Sequence, residues 1–235
     1  MKPIAVLLGP GTNCYEESVY AIEQAGFPAE VVILNDIANG HENLLERPAI
    51  FLPGGFSFGD HYGSGRIMGL ILKEILQAFA ALDRPILGVC NGFQIQMEAG
   101  LFEGEDGSSG GALVPNLSGR FESRWIELWT YAASIWTEDY GGRILRMPVA
   151  HGEGRWLKPE QDPMHLKPTF SYSKDGKITE EYWANPNGSP LGITGLANGL
   201  VMGMMPHPER AVREAQGSID GRLIFDSFVK LTKAA

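Results

Sequence analysis

Cysteine is nearly absent from this chain, with Cys14 and Cys90 the 2 residues of that type among 235. So few exclude a disulfide scaffold, and since each follows an apolar run at a strand end, a single bridge between them is not expected. Free thiols suit a reducing compartment, so a cytoplasmic protein is expected. Positive charge is scarce too: Lys and Arg number 19 against 28 Asp and Glu, a net charge of −9, and no basic cluster breaks the acidic balance. Nucleic-acid binding needs concentrated positive charge and is not expected. Long apolar runs are missing. Ile4–Leu8 is cut short by Gly9-Pro10-Gly11, and residues 67–82 are interrupted by Lys73, Glu74 and Gln77. Neither a signal peptide nor a membrane span is expected. With no low-complexity tract, internal repeat or domain boundary, residues 1–235 read as one domain.

What is present is an alternation of strands and helices. Ile4–Leu8 reads as a first strand, and Asn13, three residues before Glu16, as the N-cap of a helix with Val19, Ile22 and Ala25 on one face. Gly26 and Pro28 stop that helix. Residues 31–34 and 49–52 read as two more strands, 67–82 as a helix, Ile86–Val89 as a strand and 92–99 as a helix. Apolar strands separated by helices indicate an α/β fold with a mostly parallel central sheet flanked by helices. Beyond residue 100 the pattern changes to a smaller extension. It has a Gly/Ser-rich loop at 104–120, short strands at 125–130, 144–149 and Val201–Met204, and loops with a hairpin at 157–190. A closing helix at 219–231 presents Leu223, Phe228 and Leu231 inward. In such sheets ligands bind outside the carboxyl ends of the strands, where three glycine-rich exits converge here.

One of those exits carries chemistry. Gly88-Val89-Cys90-Asn91-Gly92 has the layout of a nucleophile elbow, the reactive side chain on a sharp turn between a buried strand and a helix. The flanking glycines allow strand and helix to approach closely, and the helix N-terminus favours a thiolate. Cys14, also at a strand-to-helix junction, is the rival nucleophile; it lacks the small-residue elbow and reads as packing or loop structure.

A thiol nucleophile needs a base. His207 lies between Pro206 and Pro208, and Glu209, two residues on, falls on the same side of an extended segment, where it can hold the ring's tautomer. His151 and Glu153 offer a competing pair with the same spacing, and spacing alone does not separate the two. The glycines around His151 suit a backbone that approaches a ligand. Neither pair has the helical i, i+4 spacing of a zinc motif, so no metal site is expected. Acyl transfer also needs oxyanion donors; the Asn91 N–H is one candidate and a glycine of Gly54-Gly55 the other.

Taken together, Gly88 to Gln94 and Pro206-His207-Pro208-Glu209 resemble the signatures of the class I, triad-type glutamine amidotransferases, a flavodoxin-like fold. Pro10 to Cys14, Leu52 to Asp60, Ala150 to Arg155, Asn185 to Ser189 and Gly203 to Ala211 narrow the resemblance to the glutaminase subunits of phosphoribosylformylglycinamidine synthases. That resemblance implies Cys90 as nucleophile toward the side-chain amide of L-glutamine, His207 as base and then acid, and Glu209 as its orienter. It implies Gly55 and Asn91 as the oxyanion hole, and Gln94 with His151 and Gly152 as contacts for the substrate's amino-acid end. It further implies no cofactor in this chain. ATP and Mg would serve a larger synthetase subunit that receives the ammonia, with a small auxiliary subunit completing the complex. Its span, from residue 3 to about 230, implies a separate subunit rather than a piece of a fused synthase.

Overall fold

The computed structural model describes residues 2–161 and 163–235. Short apolar runs form its parallel strands: β1 (Ile4–Leu8), β2 (Ala29–Ile33), β3 (Ile50–Leu52) and β4 (Ile86–Val89). Between them run the helices α1 (Tyr15–Gln24), α2 (Leu34–Ala38) and α3 (Arg66–Ala80), and α4 (Asn91–Glu98) follows β4. The second half adds β5 (Ala112–Pro115), β6 (Glu122–Thr130), β7 (Ile144–His151), β8 (Glu153–Leu157), β9 (Lys167–Lys174), β10 (Lys177–Ile178), β11 (Ile193–Asn198) and β12 (Val201–Met204), then α5 (Arg222–Ala234).

The main sheet runs β2-β1-β3-β4-β12-β11-β9-β6-β7, with β10 on β9, and β5 and β8 make a separate pair. Strands β2 through β12 pair in parallel; from β11 onward the pairing is antiparallel. The α/β class is as expected, and the antiparallel extension continues the same sheet through β12. Both faces of the inner parallel strands β1, β3, β4 and β12 are covered, which is why these are apolar throughout, whereas the edge strand β2 carries the exposed Glu30. On β3, Phe51 packs against Phe225 and Phe228 of α5 at centroid distances of 5.8 and 6.2 Å. The next residue, Leu52, lies on the opposite face, under Gly92 of α4.

Several expectations need correction. Cys14, not Asn13, is the N-cap of α1, and it makes no side-chain cap bond. The Asn13 carboxamide oxygen instead accepts from the Cys14 thiol. On α5 Phe228 is buried and Leu223 and Leu231 pack partly buried against the core as expected, and Ile224, Phe225 and Val229, not anticipated, complete the buried face. The 104–120 loop contains β5, the hairpin expected within 157–190 is β9–β10, and β8 and β11 supply strands where none was expected. Among the described residues no helix is long and apolar enough to cross a membrane.

Candidate active site

Cys90 leaves β4 at φ 52°, ψ −107°, a left-handed conformation that costs a non-glycine residue on the order of 1–3 kcal/mol. The surroundings hold it there. Its N–H bonds the Met204 carbonyl at 2.8 Å, and its own carbonyl accepts from Phe93 and Gln94 as α4 begins. Neither neighbouring glycine has room for a side chain. A Cβ on Gly88 would press on the Gln96 carboxamide and come within 2.7 Å of the Gly92 carbonyl, and one on Gly92 would strike the Leu52 carbonyl. The expected elbow is thus present, and Cys90 Sγ comes to rest 3.5 Å from the Ala150 carbonyl.

His207 follows β12, its N–H fastened to the Pro148 carbonyl at 2.9 Å. Pro208 then turns the chain into a single 3-10 turn, Pro208–Arg210, and this folds the Glu209 side chain back on the ring. His207 Nδ1 and Glu209 Oε1 are 2.5 Å apart, with both residues buried. Burial alone opposes protonation of the imidazole. The carboxylate of Glu209 and the Cys90 sulfur outweigh it and hold His207 well above the ordinary histidine range. Nε2 has no partner among the described residues.

The competing pair is built differently. Asn116 spends its Nδ2 on the Arg120 and His151 carbonyls, so its Oδ1 accepts from His151 Nδ1–H at 3.0 Å. The other ring nitrogen, Nε2, faces the Tyr172 hydroxyl at 3.4 Å, and Asn187 donates to that hydroxyl and to the Gly154 carbonyl. Burial, then the charges of His207 and Arg124, push His151 down to about 3, so the ring is neutral at working pH. Glu153 does not orient it. That carboxylate accepts from the Ser64 N–H at 2.8 Å. The His151 ring is therefore an internal fastener, and what its segment offers outward is backbone. A Cβ on Gly152 would meet only the Phe121 ring, at 3.8 Å.

The remaining expected positions gather at the same sheet edge. The Gly55 and Asn91 amides have no acceptor among the described residues, the condition an oxyanion hole requires. The Asn91 side chain ties the two loops together, accepting from the Ser57 N–H at 3.2 Å and donating to Gln94 Oε1 at 2.9 Å. Gln94 in turn donates to the Glu153 carbonyl at 2.5 Å, which docks the His151–Glu153 turn onto α4.

Two residues here were not anticipated as part of the site. Cys14, read from the sequence as packing or loop structure, is 1% exposed and abuts His207, and Arg210 Nη2 donates to its sulfur at 3.0 Å. No local pattern signals this, because the neighbours come from two distant segments, the Gly54 loop and His207–Arg210. The Cys14 sulfur, a His207 nitrogen and a Glu209 oxygen lie within 4.8 Å of one another, a donor set of the kind zinc uses. The Arg210 guanidinium already places positive charge there, which opposes a cation.

A thiol on a strained elbow, beside a buried histidine–carboxylate pair at the carboxyl edge of a flavodoxin-like sheet, defines the class of triad-type glutamine amidotransferases. In keeping with this, residues 2–224 match the CobB/CobQ-like glutamine amidotransferase domain. The chain is 41% identical to phosphoribosylformylglycinamidine synthase subunit PurQ of Pyrococcus furiosus, over 100% of both chains. It is 40% identical to the protein of that name from Chlorobium chlorochromatii, over 97% of this chain and 96% of the other. Among solved structures, a chain of PurLQS from Thermotoga maritima superposes with a TM-score of 0.81 at 34% identity, covering 98% of this chain and 99% of that one. Another glutamine amidotransferase of Thermotoga maritima shares the fold alone, with a TM-score of 0.57 at 17% identity over 100% of this chain and 94% of that one. The chain belongs to the PurQ family.

Proposed function

We propose that this chain is the glutaminase subunit of a cytoplasmic phosphoribosylformylglycinamidine synthase. It hydrolyses L-glutamine to glutamate and ammonia and delivers the ammonia to a larger synthetase subunit, the fourth step of purine synthesis. That larger partner makes formylglycinamidine ribonucleotide from formylglycinamide ribonucleotide. ATP and Mg act there, this chain carrying no cofactor of its own, and a small auxiliary subunit completes the assembly. The observation that carries the reading is the Cys90 elbow beside the 2.5 Å His207–Glu209 pair, with two unspent backbone amides alongside.

The chemistry follows from the geometry. The raised proton affinity of His207 draws the Cys90 thiol proton onto Nε2, and the resulting thiolate attacks the side-chain carbonyl of glutamine. The Gly55 and Asn91 amides receive the developing oxyanion. Collapse of the tetrahedral intermediate breaks the C–N bond, His207 returns the proton to the departing ammonia, and a glutamyl thioester remains on Cys90. Water, deprotonated by His207, then releases glutamate and restores the thiol. Glu209 keeps the ring's tautomer and stabilises the imidazolium in both halves. Gln94 and the backbone at His151 and Gly152 hold the amino-acid end.

The test is Cys90→Ala in the assembled complex. Glutamine-dependent synthesis should vanish while ammonia-dependent synthesis persists. If Cys14→Ala gives that pattern and Cys90→Ala does not, the nucleophile is wrongly assigned. Rescue of a purine-requiring strain by the wild-type chain, or its co-purification with the synthetase, tests the acceptor.

A further inference from the structure

Glutamine hydrolysis uses one thiol, yet a second is buried against the base. Cys14 is fixed by its backbone, its N–H bonding the Gly54 carbonyl at 3.2 Å, and by its sulfur, which donates to Asn13 Oδ1 at 3.1 Å and accepts from Arg210 Nη2 at 3.0 Å. Burial raises its pKa, so it remains a neutral thiol and a poor nucleophile. A Cβ placed on Gly54 would lie 3.1 Å from the Cys14 sulfur and 2.7 Å from His207 Cε1. A glycine, with no side chain to intervene, is what lets thiol and ring share that space.

Glu209 gives this contact its meaning. Oε1 serves His207, but Oε2 is buried with no partner among the described residues. The cation best placed to pair with it is Arg210, whose Nε stands 3.9 Å from Oε1. A guanidinium closing on a carboxylate forms a strong paired hydrogen bond. That pairing would draw Glu209 away from His207 and set a fixed positive charge against the imidazolium. In the structure the guanidinium is instead tethered to the Cys14 sulfur, with its Nε 3.9 Å from Glu17 on the other side.

We propose that Cys14 is a positioning residue of the glutaminase reaction: its thiol holds Arg210 off Glu209, so that the carboxylate stays committed to His207. The proposal rests on His207 acting as base. It goes beyond that assignment by naming what keeps the base's own orienter from being captured by a neighbouring arginine. The arginine is retained close enough to lend its charge to the buried carboxylate, but not to replace the histidine as its partner.

Glutamine-dependent activity of the assembled complex, with its pH profile, tests this in four variants. Cys14→Ala should lower kcat about ten-fold, the effect of one misplaced charge-assisted hydrogen bond, with KM nearly unchanged. The limb of the profile that belongs to His207 should move to lower pH, because a captured Glu209 no longer supports the imidazolium. Cys14→Ser, which keeps an acceptor for Arg210, should remain near wild type. The double variant Cys14→Ala/Arg210→Met should recover most of the lost kcat and the original profile, since the competing cation is gone. Ammonia-dependent synthesis in the same complexes reports that they are intact. A Cys14→Ala enzyme with wild-type kcat and profile would overturn the proposal, as would a double variant no faster than Cys14→Ala. A His207→Ala variant with full glutaminase activity would instead refute the base assignment, so the two failures are distinguishable.

Discussion

His207 Nδ1 and Glu209 Oε1 stand 2.5 Å apart in a fully buried pair, and this short contact is what favours His207 over His151 as the proposed partner of Cys90. In the proposed reaction the carboxylate directs Nδ1–H toward itself, leaves Nε2 to hold the Cys90 proton and stabilises the imidazolium. Glu209→Gln removes the charge while preserving shape. Steady-state glutaminase kinetics should show kcat lower by roughly 10²- to 10⁴-fold with KM changed little, since the interaction gained in the transition state is the one lost. A variant within a few-fold of wild type would mean that the carboxylate does not serve the reaction.

Two glycines at the site should fail in different ways. Gly92 faces the backbone of β3, where neither partner can move without disturbing the sheet, so Gly92→Ala should destabilise the fold by about 1–3 kcal/mol, read as a lower urea midpoint. Gly54 faces the edge of the His207 ring instead. Gly54→Ala should push the imidazole out of line and lower kcat at least ten-fold, with a smaller loss of stability than Gly92→Ala. Equal losses of stability in the two variants would contradict this division.

What the sequence disclosed was local, and what it hid was assembled from afar. The Cys90 elbow was legible because strand, glycines and helix start are contiguous, and β4 and β12 fall where their apolar runs predict. The two His-x-Glu pairs looked alike because spacing carries no record of partners. They differ through Asn116 and Tyr172, residues of other loops and strands that occupy the His151 ring. β9 and β10 form the hairpin expected within 157–190, but the depth of β9 was hidden, because Thr169, Ser171 and Ser173 alternate with Phe170 and Tyr172 and are buried with them, so its polar face does not face water. Alternation of that kind normally signals one solvated face. The part played by Cys14 was invisible for the same reason as the difference between the histidines: its neighbours Gly54 and Arg210 are brought to it only by the closed sheet.

The buried His151 predicts an acid sensitivity separable from catalysis. Folded, its pKa is about 3; unfolded, it returns to 6.5. Between those values the unfolded chain binds one proton more than the native protein, so native stability falls as pH falls through that window. The loss attributable to this residue is about 1.4 kcal/mol per pH unit once pH is well below the unfolded value. Carboxylates titrate in the same range, so the measurement is a difference. Urea unfolding of wild type and of His151→Gln should be followed from neutral pH down to about pH 5, where the two stability curves should converge as acid is added. The variant starts lower, having lost the Asn116 and Tyr172 hydrogen bonds, but has no imidazole to protonate on unfolding. The pH profile of its remaining glutaminase activity should keep the wild-type shape, because the base proposed to titrate is His207. Parallel stability curves would show that His151 is not held neutral in the fold, and a displaced activity profile would return it to candidacy as the base.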